Sequence, residues 1–150
     1  MSRESGFTLI EAACMLAVVA LLAVLVLPAI PRATSQTRLA GYAVDIAAVL
    51  KRDRNAAIRN NVMVSTALDA ERRVVRSGAA GNEVDVPSDV VFSALLAQRC
   101  ADRAVGATID FFPSGASCGG AIAISRDGLG YQIRVNWMTG GVEVVAIGKS

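Results

Sequence analysis

The sequence predicts an α+β fold: a long N-terminal helix, its first half transmembrane, packed on a small antiparallel β-sandwich-like C-terminal domain. Three observations predict it. Residues 12–31 form an apolar run of 20 residues without a charge. Residues 34–60 repeat apolar side chains at steps of three and four. From residue 61 the pattern changes to short alternating apolar runs separated by turn-forming joints.

Composition bounds the function. The chain has 150 residues, 53% hydrophobic and 19% charged, with mean hydropathy +0.47. That is too apolar for disorder. Fifteen basic residues stand against 13 acidic ones. A net +2 argues against a nucleic-acid partner held by global charge. Histidine is absent, which removes histidine triads, histidine metal sites and the usual general base at neutral pH. Aromatics at 5% leave little for a base-stacking platform.

The first element is the run AACMLAVVALLAVLVLPAIP, flanked by Glu11 and Arg32. As a helix it would reach about 30 Å, the thickness of a bilayer core. It lacks the polar stripe of a buried core helix. It also exceeds the roughly 7–15 apolar residues of a removable secretory signal, and Ala29-Ile30-Pro31-Arg32-Ala33 makes a poor cleavage site. Pro28 lacks a backbone donor, so it kinks the helix; alternatively Pro28 and Pro31 end the span. Arg3 precedes the run and Arg32 and Arg38 follow it, so charge counting does not orient it.

In the second element Leu39, Tyr42, Ala43, Ile46, Val49, Leu50 and Ala57 make an apolar stripe. Arg38, Asp45, Lys51, Arg52 and Arg59 lie opposite. Asp53 intrudes on the repeat, Gly41 is a flexible point, and Asn60-Asn61 is the stop. The cluster Lys51, Arg52, Arg54, Arg59 reads as a solvated face, because Asp53 dilutes it and no aromatic interleaves.

Strands are expected over 62–68, 72–76, 107–112, 121–125, 130–137 and 142–147. Residues 77–81 form a loop and 86–89 a turn. Residues 90–100 are ambiguous, since Ala-Leu-Leu-Ala-Gln-Arg favours helix. Asp127-Gly128 and Thr139-Gly140-Gly141 are hairpin joints.

The N-terminus carries a family signature. Met1-Ser2-Arg3-Glu4-Ser5-Gly6 is short and polar; Phe7-Thr8-Leu9-Ile10-Glu11 and the apolar run follow. This resembles the class III leader of type IV pilins and type II secretion pseudopilins. The resemblance implies that prepilin peptidase cuts between Gly6 and Phe7 and that Phe7 is N-methylated. It implies that Glu11 pairs with the N-terminal amine of a neighbouring subunit during assembly. Glu11 resting unpaired at headgroup level is the alternative. It also implies a single pass through the bacterial inner membrane, N-terminus cytoplasmic and outer domain periplasmic.

Three later segments narrow the family. Phe112-Pro113-Ser114-Gly115 through Gly119-Gly120-Ala121-Ile122 is similar to a Phe-x-Pro-x-Gly…Gly-Gly-x-Ile segment of type II secretion minor pseudopilin H. Ile133-Arg134-Val135-Asn136-Trp137-Met138-Thr139-Gly140-Gly141-Val142 resembles the closing hairpin of that family. Leu50 to Ile58 resembles its Leu-x-x-Ala-Arg-x-x-Ala-Ile helix segment, with Asp53 where alanine is usual. Residues 69–106 match no motif. The implied organisation is a leader at 1–6, a transmembrane helix half at 7–33, an amphipathic half at 34–60 and a β-rich periplasmic domain at 61–150. The implied function is a structural subunit at or near the tip of a secretion pseudopilus that supports export of folded proteins. Its partners would be other minor and major pseudopilins and an inner-membrane assembly platform. The alternative is a minor pilin of a type IV pilus or DNA-uptake filament with a ligand- or DNA-binding outer domain.

No residue set reads as catalytic, cofactor-binding or metal-binding. Gly119-Gly120 is too little for a nucleotide fingerprint, and the spacing of Asp85 and Asp89 is too generic for calcium. The motif glycines read as turn architecture, and Trp137 is expected to fill the core against the long helix. Cys14 lies in the apolar run as a small apolar side chain. In the oxidising compartment that the resemblance implies, Cys100 and Cys118 are expected to form a disulfide; two buried free thiols are the alternative.

Overall fold

A computed structural model describes residues 8–26 and 33–148. The chain divides into two compact units, one ending at Ala33 and the other beginning at Thr34. Gly6, Phe7 and Pro28 lie outside the described residues.

The first unit contains helix α1, Leu9–Val26. The Thr8 carbonyl accepts from the Glu11 and Ala12 amides and starts the helix. Its 18 residues span about 27 Å, short of a bilayer core of about 30 Å. Among the described residues no helix is long and apolar enough to cross a membrane. The apolar run continues to residue 31, outside the described part.

The second unit begins with helix α2, Gln36–Asn60. Ser35 is extended and its side chain accepts from the Arg38 amide, a new N-cap. Residues 33–35 are therefore not helical, which corrects the expectation of one continuous helix. The hydroxyl of Ser35 offers the backbone a start that apolar periodicity does not register. At the other end Asn61 adopts the left-handed conformation, and its amide donates to the Ala57 carbonyl.

Among the described residues ten strands follow: β1 Val64–Asp69, β2 Val74–Arg76, β3 Glu83–Asp85, β4 Val91–Leu96, β5 Arg99–Cys100, β6 Arg103–Ala104, β7 Thr108–Phe111, β8 Gly120–Arg126, β9 Leu129–Val135 and β10 Val142–Gly148. They form two four-stranded sheets, in orders β3-β2-β1-β7 and β10-β9-β8-β4, and a small β5-β6 ribbon. Every pairing is antiparallel. The ambiguous segment is a strand: its alternating burial and its pairing with β8 override the helix preference of Ala94, Leu95 and Leu96. The β8–β9 hairpin turns on Asp127 and Gly128, both at positive φ, as a tight two-residue joint requires.

The core gathers around α2. Leu39, Ala43, Ile46, Leu50 and Ala57 are buried on one face. They meet Val64, Leu68, Val75, Ile109 and Phe111 of the first sheet and Ile122, Ile124, Ile133 and Val135 of the second. Helix α2 packs against strands of both sheets, so it is their shared core layer.

Candidate functional site

Asp53 occupies one of the core-facing turns of α2, between Leu50 and Ala57, and is fully buried. Its carboxylate accepts from the Thr66 hydroxyl at 2.6 Å, the Ser77 hydroxyl at 2.5 Å, and the amides of Gly78 at 3.0 Å and Ala79 at 3.2 Å. Four donors replace lost hydration, which is what allows a carboxylate into the core. Asp53 is thus part of the repeat it was expected to interrupt. It ties α2 to β1 and to the loop 77–81. Gly78 belongs to this junction, since a Cβ there would stand 2.3 Å from the Ser65 carbonyl oxygen.

Arg54, one residue on, is half-buried instead of being a solvated charge. Its Nε donates to the Gly115 carbonyl at 3.1 Å and the Thr139 carbonyl at 3.0 Å. This corrects the solvated reading of the basic cluster at this position. The three segments beyond the N-terminus that carry the family resemblance therefore converge at one point. Gly140, at φ +62, completes it: a Cβ there would lie 2.1 Å from the Gly115 oxygen and 2.8 Å from Arg54 Nε. Helix, Pro113-Ser114-Gly115 turn and β9–β10 turn are locked together by one guanidinium.

Next to this junction stands Trp137, 65% exposed. The expectation of a core tryptophan is corrected. Its backbone carbonyl accepts from the Ser117 amide at 2.9 Å, and Gly119 sits under its Cβ, but α2 and the isoleucines of β8 and β9 already fill the core.

A third polar junction holds the start of the unit. Asp89 accepts from the Thr34 amide at 2.7 Å, the Thr34 hydroxyl at 2.9 Å and Arg126 Nη1 at 2.9 Å. The Thr34 backbone bond, then its hydroxyl, with Arg126 adding to them, hold the Asp89 carboxyl below its ordinary value of 3.8. Among the described residues no His, Cys, Asp or Glu group could hold a metal ion.

The remaining site residues fall as follows. Glu11 lies exposed in the first turn of α1. Cys14 is exposed on α1 as a free cysteine. Cys100 and Cys118 form a disulfide with Cα atoms 5.5 Å apart, joining the β5-β6 ribbon to the chain before β8. The polar partners of Asp53 were missed in the sequence. The available signal was spacing: Asp53 follows Ile46 and Leu50 at the core-facing period.

No family model matches the chain. It is similar to Type II secretion system protein H of Xanthomonas campestris pv. campestris, 28% identical over 137 residues, covering 91% of this chain and 80% of that protein. Its fold resembles the minor pseudopilin EpsH of the Vibrio cholerae type 2 secretion system, with TM-score 0.56 and 12% identity over 72% of this chain and 96% of that one. It also resembles the Pseudomonas aeruginosa type IV minor pilin FimU, with TM-score 0.53 and 17% identity over 75% of this chain and 91% of that one. The resemblance read from the motifs thus has a counterpart in both sequence and fold. The described residues have a pseudopilin-like α+β fold with two helices and antiparallel sheets.

Proposed function

We propose that this chain is a minor pseudopilin, a structural subunit at or near the tip of a type II secretion pseudopilus that supports export of folded proteins across the outer membrane. The observation that carries this is the pseudopilin-like head of residues 34–148 behind a prepilin-type start and a charge-free apolar run. In this reading prepilin peptidase cuts between Gly6 and Phe7, and Phe7 is methylated. Residues 7–33 then anchor the chain in the inner membrane, with the head in the periplasm. α1 carries apolar side chains on every face, so it suits van der Waals packing among lipid tails and sister helices. Glu11, the charged residue of α1, supplies axial register by pairing with a neighbour's N-terminal amine. Pro28 kinks the anchor. The work of extrusion belongs to the assembly platform, and this chain supplies shape and contacts to the other minor and major pseudopilins.

A second reading, a minor pilin of a type IV pilus, is favoured by the fold likeness to FimU, close to that for EpsH. Terminal-peptide sequencing of membrane fractions tests the common part: the first residue is expected to be methylated Phe7, and a start near residue 34 overturns it. Co-purification with pseudopilins as against pilins then separates the two machines.

A further inference from the structure

Trp137 is the chain's one tryptophan, and it is held out to solvent on a rigid turn. The Asn136 side chain accepts from the Met138 amide at 2.9 Å and the Thr139 amide at 3.0 Å. The Asn136 amide donates to the Gly141 carbonyl, and the Gly140 amide donates to the Asn136 carbonyl. Arg54 and Ser117 hold the Thr139 and Trp137 carbonyls. A backbone this fully bonded presents its aromatic side chain with little ordering left to lose on contact.

Exposed apolar side chains stand on the segments around this turn. Met138 is 64% exposed. Ile58, also exposed, reaches the Gly115 turn, and Met63 lies just ahead of β1 where Val64 pairs with Phe111. Residues 115–119 run between these side chains and Trp137, so they belong to one pole of the unit, at the C-terminal end of α2. The rim is basic. Arg59 follows Ile58, and Arg103 Nη2 lies 3.1 Å from the Met63 sulfur. Arg99 adjoins the Cys100–Cys118 bridge, and Asp102 is the acidic member.

Tryptophan, methionine and arginine around an apolar centre make the composition of a protein–protein hot spot. Two copies of this pole would bring arginine against arginine, so it does not suit self-association. Its aliphatic centre also differs from the basic stripe that tracks phosphates. We infer that this pole docks a different protein subunit, through an apolar patch edged with Asp or Glu that receives Trp137. The inference rests on the pseudopilin reading and adds to it where on the head the neighbour sits.

The test uses the full-length chain in detergent, co-produced with the other pseudopilins of its own secretion locus. A benzophenone amino acid replaces Met138 or, as a control, Leu95, exposed on β4. Crosslinks to one pseudopilin are expected from position 138 and not from 95. Trp137→Ser is expected to lower that yield at least about tenfold while the disulfide and thermal midpoint stay unchanged. Arg59→Glu with Arg103→Glu is expected to lower it similarly, and exchanging the acidic residues at the partner's crosslinked site for arginine is expected to restore it. An unchanged yield in Trp137→Ser overturns the inference. So do crosslinks from 95 alone, crosslinks only to a second copy, or a short DNA duplex bound through Trp137 while pseudopilin capture is unaffected. If neither position captures a pseudopilin, the proposed function fails along with it; capture from 95 alone removes only the docking face.

Discussion

The Asp53 carboxylate accepts a 2.5 Å hydrogen bond from the Ser77 hydroxyl, joining helix α2 to a loop 24 residues further along the chain. Both residues are buried. Asp53→Ala would leave the Thr66 and Ser77 hydroxyls and two amides without an acceptor. The expected cost is about 2–4 kcal/mol in chemical denaturation. Adding Thr66→Val and Ser77→Ala to Asp53→Ala removes both orphaned hydroxyls but leaves the Gly78 and Ala79 amides, and now the Ala80 amide that Ser77 Oγ held, without an acceptor, so it should recover only part of that loss. Additive losses across the three changes would contradict the network.

The Arg54 junction predicts an unequal pair of substitutions. Gly140→Ala forces a side chain into left-handed backbone and onto the Gly115 carbonyl, and should cost about 2 kcal/mol or more in a denaturation midpoint. Gly81→Ala has the same sign of φ but open space around it, so it should cost only about 1 kcal/mol.

Asp89 gives the head a pH dependence of known sign. Its carboxyl titrates lower folded than unfolded, so its contribution is complete above the ordinary value of 3.8 and is lost as pH falls through the folded value. Asp89→Asn should therefore lower the thermal midpoint at neutral pH. The gap from wild type should close as the solution is acidified below that range. A gap that is constant with pH would assign the effect to packing.

Reduction of Cys100–Cys118 opens a loop with a sequence separation of 18 and should destabilise the head by about 3 kcal/mol. Alkylation of the native protein without reductant should label Cys14 alone.

Much of the fold was legible in the sequence because periodicity reports which faces are covered. The α2 stripe, the loop 77–81 and the hairpin at Asp127-Gly128 follow from spacing and turn chemistry. The strands β3, β5 and β6 were not legible: two or three residues each, they exist through pairing and the disulfide, not through local preference. Asp53 and Arg54 were misread for a common reason. A charged residue signals solvent unless its partners are known, and here Thr66, Ser77, Gly115 and Thr139 lie 13 to 85 residues away. Trp137 was misread in the opposite sense, because size and hydrophobicity do not say whether room remains inside.

The break at residues 33–35 has a mechanical meaning. Helix α2 starts afresh at Ser35, and the residue just before it, Thr34, is held by side chains from elsewhere in its own unit. Force applied at Thr34 passes into the Thr34–Asp89–Arg126 clamp, which grips β8 at its last residue. The clamp is therefore where a pulling experiment on this unit should find the first yield.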